Sequence, residues 1–149
     1  MLYACLRPDK QWRLVSYPYY AKYTVRGDNT YFLHLDVNVP NLLAHGRGSC
    51  QIQGTISLDD ETEDNCTFLI PGMQHHLADW WPLAEQRGAK PDTFVHRISE
   101  NMFTKEDTEH FDTGWTSVPY KRREARVTLP YIPHGARGPV TGTRRTMLP

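Results

Sequence analysis

No apolar stretch in this chain is long enough or regular enough to build a helical core. Apolar and aromatic residues come in short runs instead, at positions 12–17, 20–25, 31–39, 50–58, 66–70, 125–129 and 143–148. Turn-forming residues separate them: Gly27-Asp28-Asn29, Gly46-Arg47-Gly48, Asp59-Asp60, Pro71-Gly72 and Gly138-Pro139. Short β-branched and aromatic runs bounded by such residues read as strands. The best helix lies over 75–87, where Leu77, Trp80, Trp81 and Ala84 share a face and Gly88 supplies a stop. A second helical turn is expected over 91–98, and the polar segment 100–117 reads as a surface excursion. Many short strands with one or two helices predict a mainly β sandwich or barrel.

The chain has 149 residues, which is one domain at most. Its 17 Lys and Arg balance 17 Asp and Glu, so neither bulk attraction to nucleic acid nor a polybasic membrane surface is expected. No apolar run approaches the roughly 18 residues that span a bilayer. The first residues are interrupted by charge at Arg7 and Asp9, so they do not read as a secretory signal. Four Trp, eight Tyr and five Phe provide the bulk for a folded core. Cys5, Cys50 and Cys66 are odd in number and contain no CxxC, which predicts buried thiols in a reducing, cytoplasmic setting. Asn65-Cys66-Thr67 matches the glycosylation sequon, here read as coincidence.

Two segments carry the chemistry. Over 51–58, Gln51, Gln53, Thr55 and Ser57 share one strand face while Ile52, Ile56 and Leu58 share the other. The apolar face wants a dry partner; the polar face either meets solvent or lines a pocket. In Tyr31-Phe32-Leu33-His34-Leu35-Asp36-Val37, His34 and Asp36 are two apart, which on a strand puts both on one face. Such a pair can supply two ligands of a 2-His-1-carboxylate iron site, which leaves three adjacent positions open. The third ligand must be a distant histidine. The candidates are His45, His75, His76, His96, His110 and His134. His134 sits at a Pro-His-Gly corner after an apolar stretch, and Arg145 follows 11 residues later across a glycine-rich return. An arginine inside such a pocket can hold a dicarboxylate through its fork.

In this order the residues resemble the phytanoyl-CoA-dioxygenase-like branch of the Fe(II)/2-oxoglutarate oxygenases. The HxD triplet is His34-Leu35-Asp36, the segment leading to Pro71-Gly72 looks like the family's Pro-Gly-Ser-His stretch, and His134-Gly135 and Arg145 follow. The resemblance spans residues 31–148. It implies a double-stranded β-helix, a jelly-roll or cupin-like barrel, in which His34, Asp36 and His134 bind Fe(II). Arg145 would grip the distal carboxylate of 2-oxoglutarate, with Gln51 and Gln53 as further amide donors to that cosubstrate. Adjacent strand residues point to opposite faces, so Arg144 and Arg145 compete for this role; the spacing favours Arg145. The implied activity is oxidation or hydroxylation of a small organic substrate, coupled to decarboxylation of 2-oxoglutarate to succinate.

The chain departs from the family in two ways. Gln74 stands where the family has His, followed by His75 and His76. The chain is also short, so the barrel is expected to be incomplete at both ends, with a truncated closing strand and an uncovered sheet that a second copy or a partner would cover. The alternative reading is therefore a non-catalytic barrel module that keeps the ligands as a relic. A zinc hydrolase could use the same three ligands, but it gives Arg145 no task and finds no evident glutamate base.

Overall fold

A computed structural model of the chain describes residues 8–9, 11, 22–24, 33–46, 52–93, 96–98, 102–136 and 145–148. The structure is mainly antiparallel sheet with a few short helices. Nine strands are described: β1 Lys22–Thr24, β2 His34–Leu35, β3 Gln53–Ser57, β4 Thr67–Leu69, β5 His96–Arg97, β6 Thr116–Val118, β7 Ala125–Thr128, β8 His134–Ala136 and β9 Arg145–Leu148. They form a four-stranded sheet, β1-β9-β3-β7, and a five-stranded sheet, β5-β2-β8-β4-β6. The antiparallel pairs are nested, β1 with β9, β2 with β8, β3 with β7 and β4 with β6. Most expected strands are present in shortened form; the run 12–17 lies outside the described residues. The last strand is not left at an edge, because β9 pairs with both β1 and β3.

Three helices accompany the sheets: α1 Val39–His45, α2 Leu77–Gln86 and α3 Lys105–His110, with a 3-10 turn at Met73–His75 before α2. Helix α2 falls where the periodicity placed it, and Gly88 just beyond it adopts φ 101°, a backbone region only glycine enters freely. Helix α1 was not expected. Asn38 starts it by accepting the Asn41 N–H at 2.8 Å, and Pro40 lies in its first turn. The Asn38 amide also donates to the carbonyls of Pro91 and Thr93, each at 2.8 Å. The helical turn expected over 91–98 is instead a turn at 91–92 followed by β5. Helix α3 replaces the expected surface excursion. Thr104 and Asp107 form a reciprocal capping box, and Asp107 is buried in an ion pair with Arg87.

The apolar core gathers Leu33, Leu35, Ile70, Trp80, Trp81, Ile98 and Phe103 among others, so it joins one side of the five-stranded sheet to α2 and the α3 region. Trp80 and Trp81 are core residues, and the Trp80 indole donates to the Met102 carbonyl at 3.1 Å. Truncating Trp80 to alanine would cost about 3–5 kcal/mol through lost contacts and the cavity left behind. Because Leu33 and Leu35 point into this core, strand alternation turns His34 to the opposite side.

The faces of β3 and β7 resolve the choice left open by the alternation over 51–58. Ile56 and Val127 are exposed on the outer face of the four-stranded sheet, whereas Ser57 and Thr128 are buried and Gln53 and Thr55 half-buried. The polar side therefore faces inward, and the expected dry partner for Ile56 is absent among the described residues. Asn65 is 1 % exposed, so its amide is inaccessible to glycosylation in the folded chain. Among the described residues no helix is long and apolar enough to cross a membrane.

Candidate metal centre

Two strands bring the centre together. β2 and β8 pair antiparallel with His34 opposite His134, so residues far apart in the chain become direct cross-strand neighbours. Beyond Leu35 the chain leaves the ladder; the Asp36 N–H donates to the Pro130 carbonyl at 3.0 Å, which holds Asp36 over the same side as His34. The Nε2 of His34 lies 3.1 Å from Asp36 Oδ1, and the Nε2 of His134 lies 3.5 Å from Asp36 Oδ2. One ligand atom from each of the three residues falls within 4.8 Å of the others, and this is the one such group of His, Cys, Asp or Glu found among the described residues.

The arrangement fits a divalent transition metal. Neighbouring donors around an octahedral ion with bonds of 2.0–2.2 Å stand roughly 3 Å apart, close to the separations seen here. The tautomer also suits. The Nδ1 of His134 is 2.8 Å from the Ile132 carbonyl, which can only accept, so Nδ1 donates there and Nε2 is the nitrogen turned toward Asp36 and a metal. Burial opposes the charge on Asp36, but hydrogen bonds from His134, His34 and Gln53 outweigh it and hold the carboxyl well below the usual carboxylate range. Asp36 is thus an anion that can offset part of the charge of a bound dication.

Gln53 reaches this centre from the other sheet. Its Nε2 donates to Asp36 Oδ2 at 2.6 Å, which leaves Oδ1 beside His34. The expectation placed Gln53 on the cosubstrate; in the structure its amide donates to the Asp36 carboxylate. Further along β3 the Thr55 hydroxyl and Tyr120 OH are 2.9 Å apart. The other candidate third ligands stand elsewhere. His45 ends α1 with Nδ1 near the Asn41 carbonyl, His75 is beside the Gln74 amide, and His76 and His110 both pack on Phe111. The His96 side chain lies outside the described residues. Arg145 opens β9 opposite Thr24; its side chain, and Arg144 and Gln51 entirely, also lie outside the described residues. Sequence reasoning missed Tyr120, Arg126 and Thr128 on the inner face, although the two-residue spacing of Arg126 and Thr128 already put them on one side of a strand. No protein-family model matches this chain, and neither a curated protein nor a solved structure does.

Proposed function

We propose that this chain is an Fe(II)- and 2-oxoglutarate-dependent oxygenase that oxidises a small organic substrate. The observation that carries this reading is the convergence of His34, Asp36 and His134 from opposite ends of the chain into one set of donors. Two imidazoles and one carboxylate on one side of an ion are the donor set of non-haem iron oxygenases. The nested strand pairs, with β1, β3, β7 and β9 in one sheet and β2, β4, β6 and β8 in the other, favour the doubly wound jelly-roll expected for such an enzyme. Retention of the Gln53–Asp36 and His134–Ile132 hydrogen bonds favours a working centre over a relic, because such supports orient ligands.

When bound, Fe(II) with 2-oxoglutarate and oxygen would supply the oxidising chemistry, at the cost of converting the keto acid to succinate and carbon dioxide. The residues do the rest. His34, Asp36 and His134 would occupy one side of the ion and leave the other for ligands. Asp36 offsets charge, and Gln53 and the Ile132 carbonyl fix the orientation of two of the three ligands. Arg145 on β9 is the proposed grip for the distal carboxylate of 2-oxoglutarate.

Anaerobic addition of Fe(II) and 2-oxoglutarate to the full chain tests this. A weak visible band, roughly at 500–530 nm, is expected from a keto acid chelated at an open iron site, followed by succinate on admission of oxygen. Neither band nor succinate would reject the reading. Zinc, with the same three ligands, would yield neither signal, which separates the hydrolase reading.

A further inference from the structure

Of the three donors, Asp36 is the one outside the ladder. His34 and His134 are fixed by their pairing across β2 and β8. Asp36 lies in the bend after Leu35, where its N–H donates to the Pro130 carbonyl. Its carboxylate turns about a terminal torsion whose well is broad and two-fold. Such a group can meet an ion through one oxygen or through both. Gln53 bears on that choice from the opposite sheet, held on β3 in register with Thr128 of β7. A carboxylate only accepts, so the amide nitrogen is the atom that faces it, and Nε2 stands 2.6 Å from Oδ2. A bond from an N–H to an anion is charge-assisted and strong for its kind. It anchors the carboxylate by one end. The other end, Oδ1, lies 3.1 Å from His34 Nε2, close to the roughly 3 Å between neighbouring donors on one ion. Turning the carboxylate so that both oxygens met the same ion would draw Oδ2 off the Gln53 amide.

We propose that Gln53 is a positioning residue that makes Asp36 a one-oxygen donor, and so sets how many positions around a bound ion stay open. With one oxygen from Asp36 and one nitrogen from each histidine, a six-coordinate ion keeps three positions; with both oxygens it keeps two. Three is the number that a keto acid, chelating through two atoms, and oxygen need together. That consequence rests on the oxygenase reading. The count of open positions itself rests only on the metal centre.

Water-proton relaxation of the full chain saturated with Mn(II) reads that count, because each open position then carries an exchanging water. Wild type, Gln53→Met and Thr55→Val are compared. Methionine keeps the length of the Gln53 side chain and removes its donor. Thr55→Val disturbs the same strand without touching Asp36, since the Thr55 hydroxyl pairs with Tyr120 OH. Relaxation per bound Mn(II) should fall by about one third in Gln53→Met, as three waters become two, and stay at the wild-type value in Thr55→Val. Equal relaxation in wild type and Gln53→Met overturns the inference, and so does an equal fall in both variants. The band given by Fe(II) with 2-oxoglutarate is recorded on the same proteins. A water lost in Gln53→Met with no such band in wild type leaves the inference standing and removes the oxygenase reading. The band in wild type with no water lost in Gln53→Met does the reverse. A wild type that binds no Mn(II) overturns both.

Discussion

His34 and His134 are registered opposite each other across β2 and β8, with ring centroids 4.4 Å apart and planes tilted by 52°. Imidazoles at this distance do not simply stack; both turn an Nε2 toward the one carboxylate of Asp36. A single backbone pairing thus sets the spacing of two of the three ligands. Two of the three donors are carried by a sheet ladder and Asp36 by the bend just beyond it, held by its N–H to the Pro130 carbonyl, which gives a precise placement with little freedom to rearrange.

Replacing His134 by alanine removes a ligand and leaves two donors. Outer partners of metal ligands are worth about 10- to 100-fold in affinity, so loss of a ligand should exceed that. Titration of Co(II) into wild type and His134→Ala, followed by calorimetry, reads the difference. The same experiment has a stability arm. A metal that binds only the folded chain at 100 times its dissociation constant adds about 2.7 kcal/mol, so wild type should melt at a higher temperature with Co(II) and His134→Ala should not.

Gln53→Ala should lower metal affinity by roughly 10-fold without abolishing it, because it frees Asp36 to rotate but removes no donor. Gln53→Glu should be worse, since it puts a second carboxylate against Asp36 in place of an amide donor. Co(II) titration orders the three proteins as wild type, alanine, glutamate. An alanine variant indistinguishable from wild type would remove Gln53 from the centre.

The candidate metal ligands were legible in the sequence for a definite reason. The strand period of two makes His34 and Asp36 visible as a pair, and Arg145 drew attention to His134 among six candidate histidines. The pairing of His34 with His134 was not legible, because register is a relation between segments and Pro133-His134-Gly135 reads as a corner rather than as the start of β8. Nor was the partner of Gln53: alternation showed which face it occupied, not that the other sheet placed Asp36 there. Helices α1 and α3 were missed because seven and six residues are too few for a helical period to emerge. Their caps were present all the same, Asn38 before Pro40 and Thr104 before Asp107. The polar character of α3 hid the fact that Asp107 is buried against Arg87.

That ion pair should dominate the stability of the α2–α3 junction. Asp107 caps α3, and Arg87, just past α2, reaches both its carboxylate and the Met102 carbonyl. Removing Asp107 leaves Arg87, 27 % exposed, without its partner, so the cost falls below the roughly 3–5 kcal/mol of a fully buried pair, with about 1 kcal/mol more from the lost α3 cap. Asp107→Ala should therefore lower the denaturant midpoint far more than Lys105→Ala, whose ion pair with Glu109 is solvent-exposed and worth little. Under conditions where both variants remain folded, Co(II) affinity should match wild type, since neither residue touches the centre. Urea titrations followed by tryptophan fluorescence compare them.

Asp36 also makes the metal-free chain sensitive to acid in a predictable direction. Its folded carboxyl titrates far below its unfolded value of 3.8, through the imidazoles of His134 and His34 and the Gln53 amide. Between those two values the unfolded chain takes up a proton that the folded chain refuses. The contribution of Asp36 to stability is therefore complete above about pH 4 and shrinks as the pH falls toward the folded value. Asp36→Asn has no carboxyl to titrate at this position, so its stability should fall less steeply between pH 4.5 and 2.5, even if it is lower at neutral pH. Urea unfolding in EDTA across that range, for both proteins, measures the two slopes. Parallel slopes would mean that the three hydrogen bonds do not hold the Asp36 carboxylate in the folded chain, and the charge balance inferred for the metal centre would lose its basis.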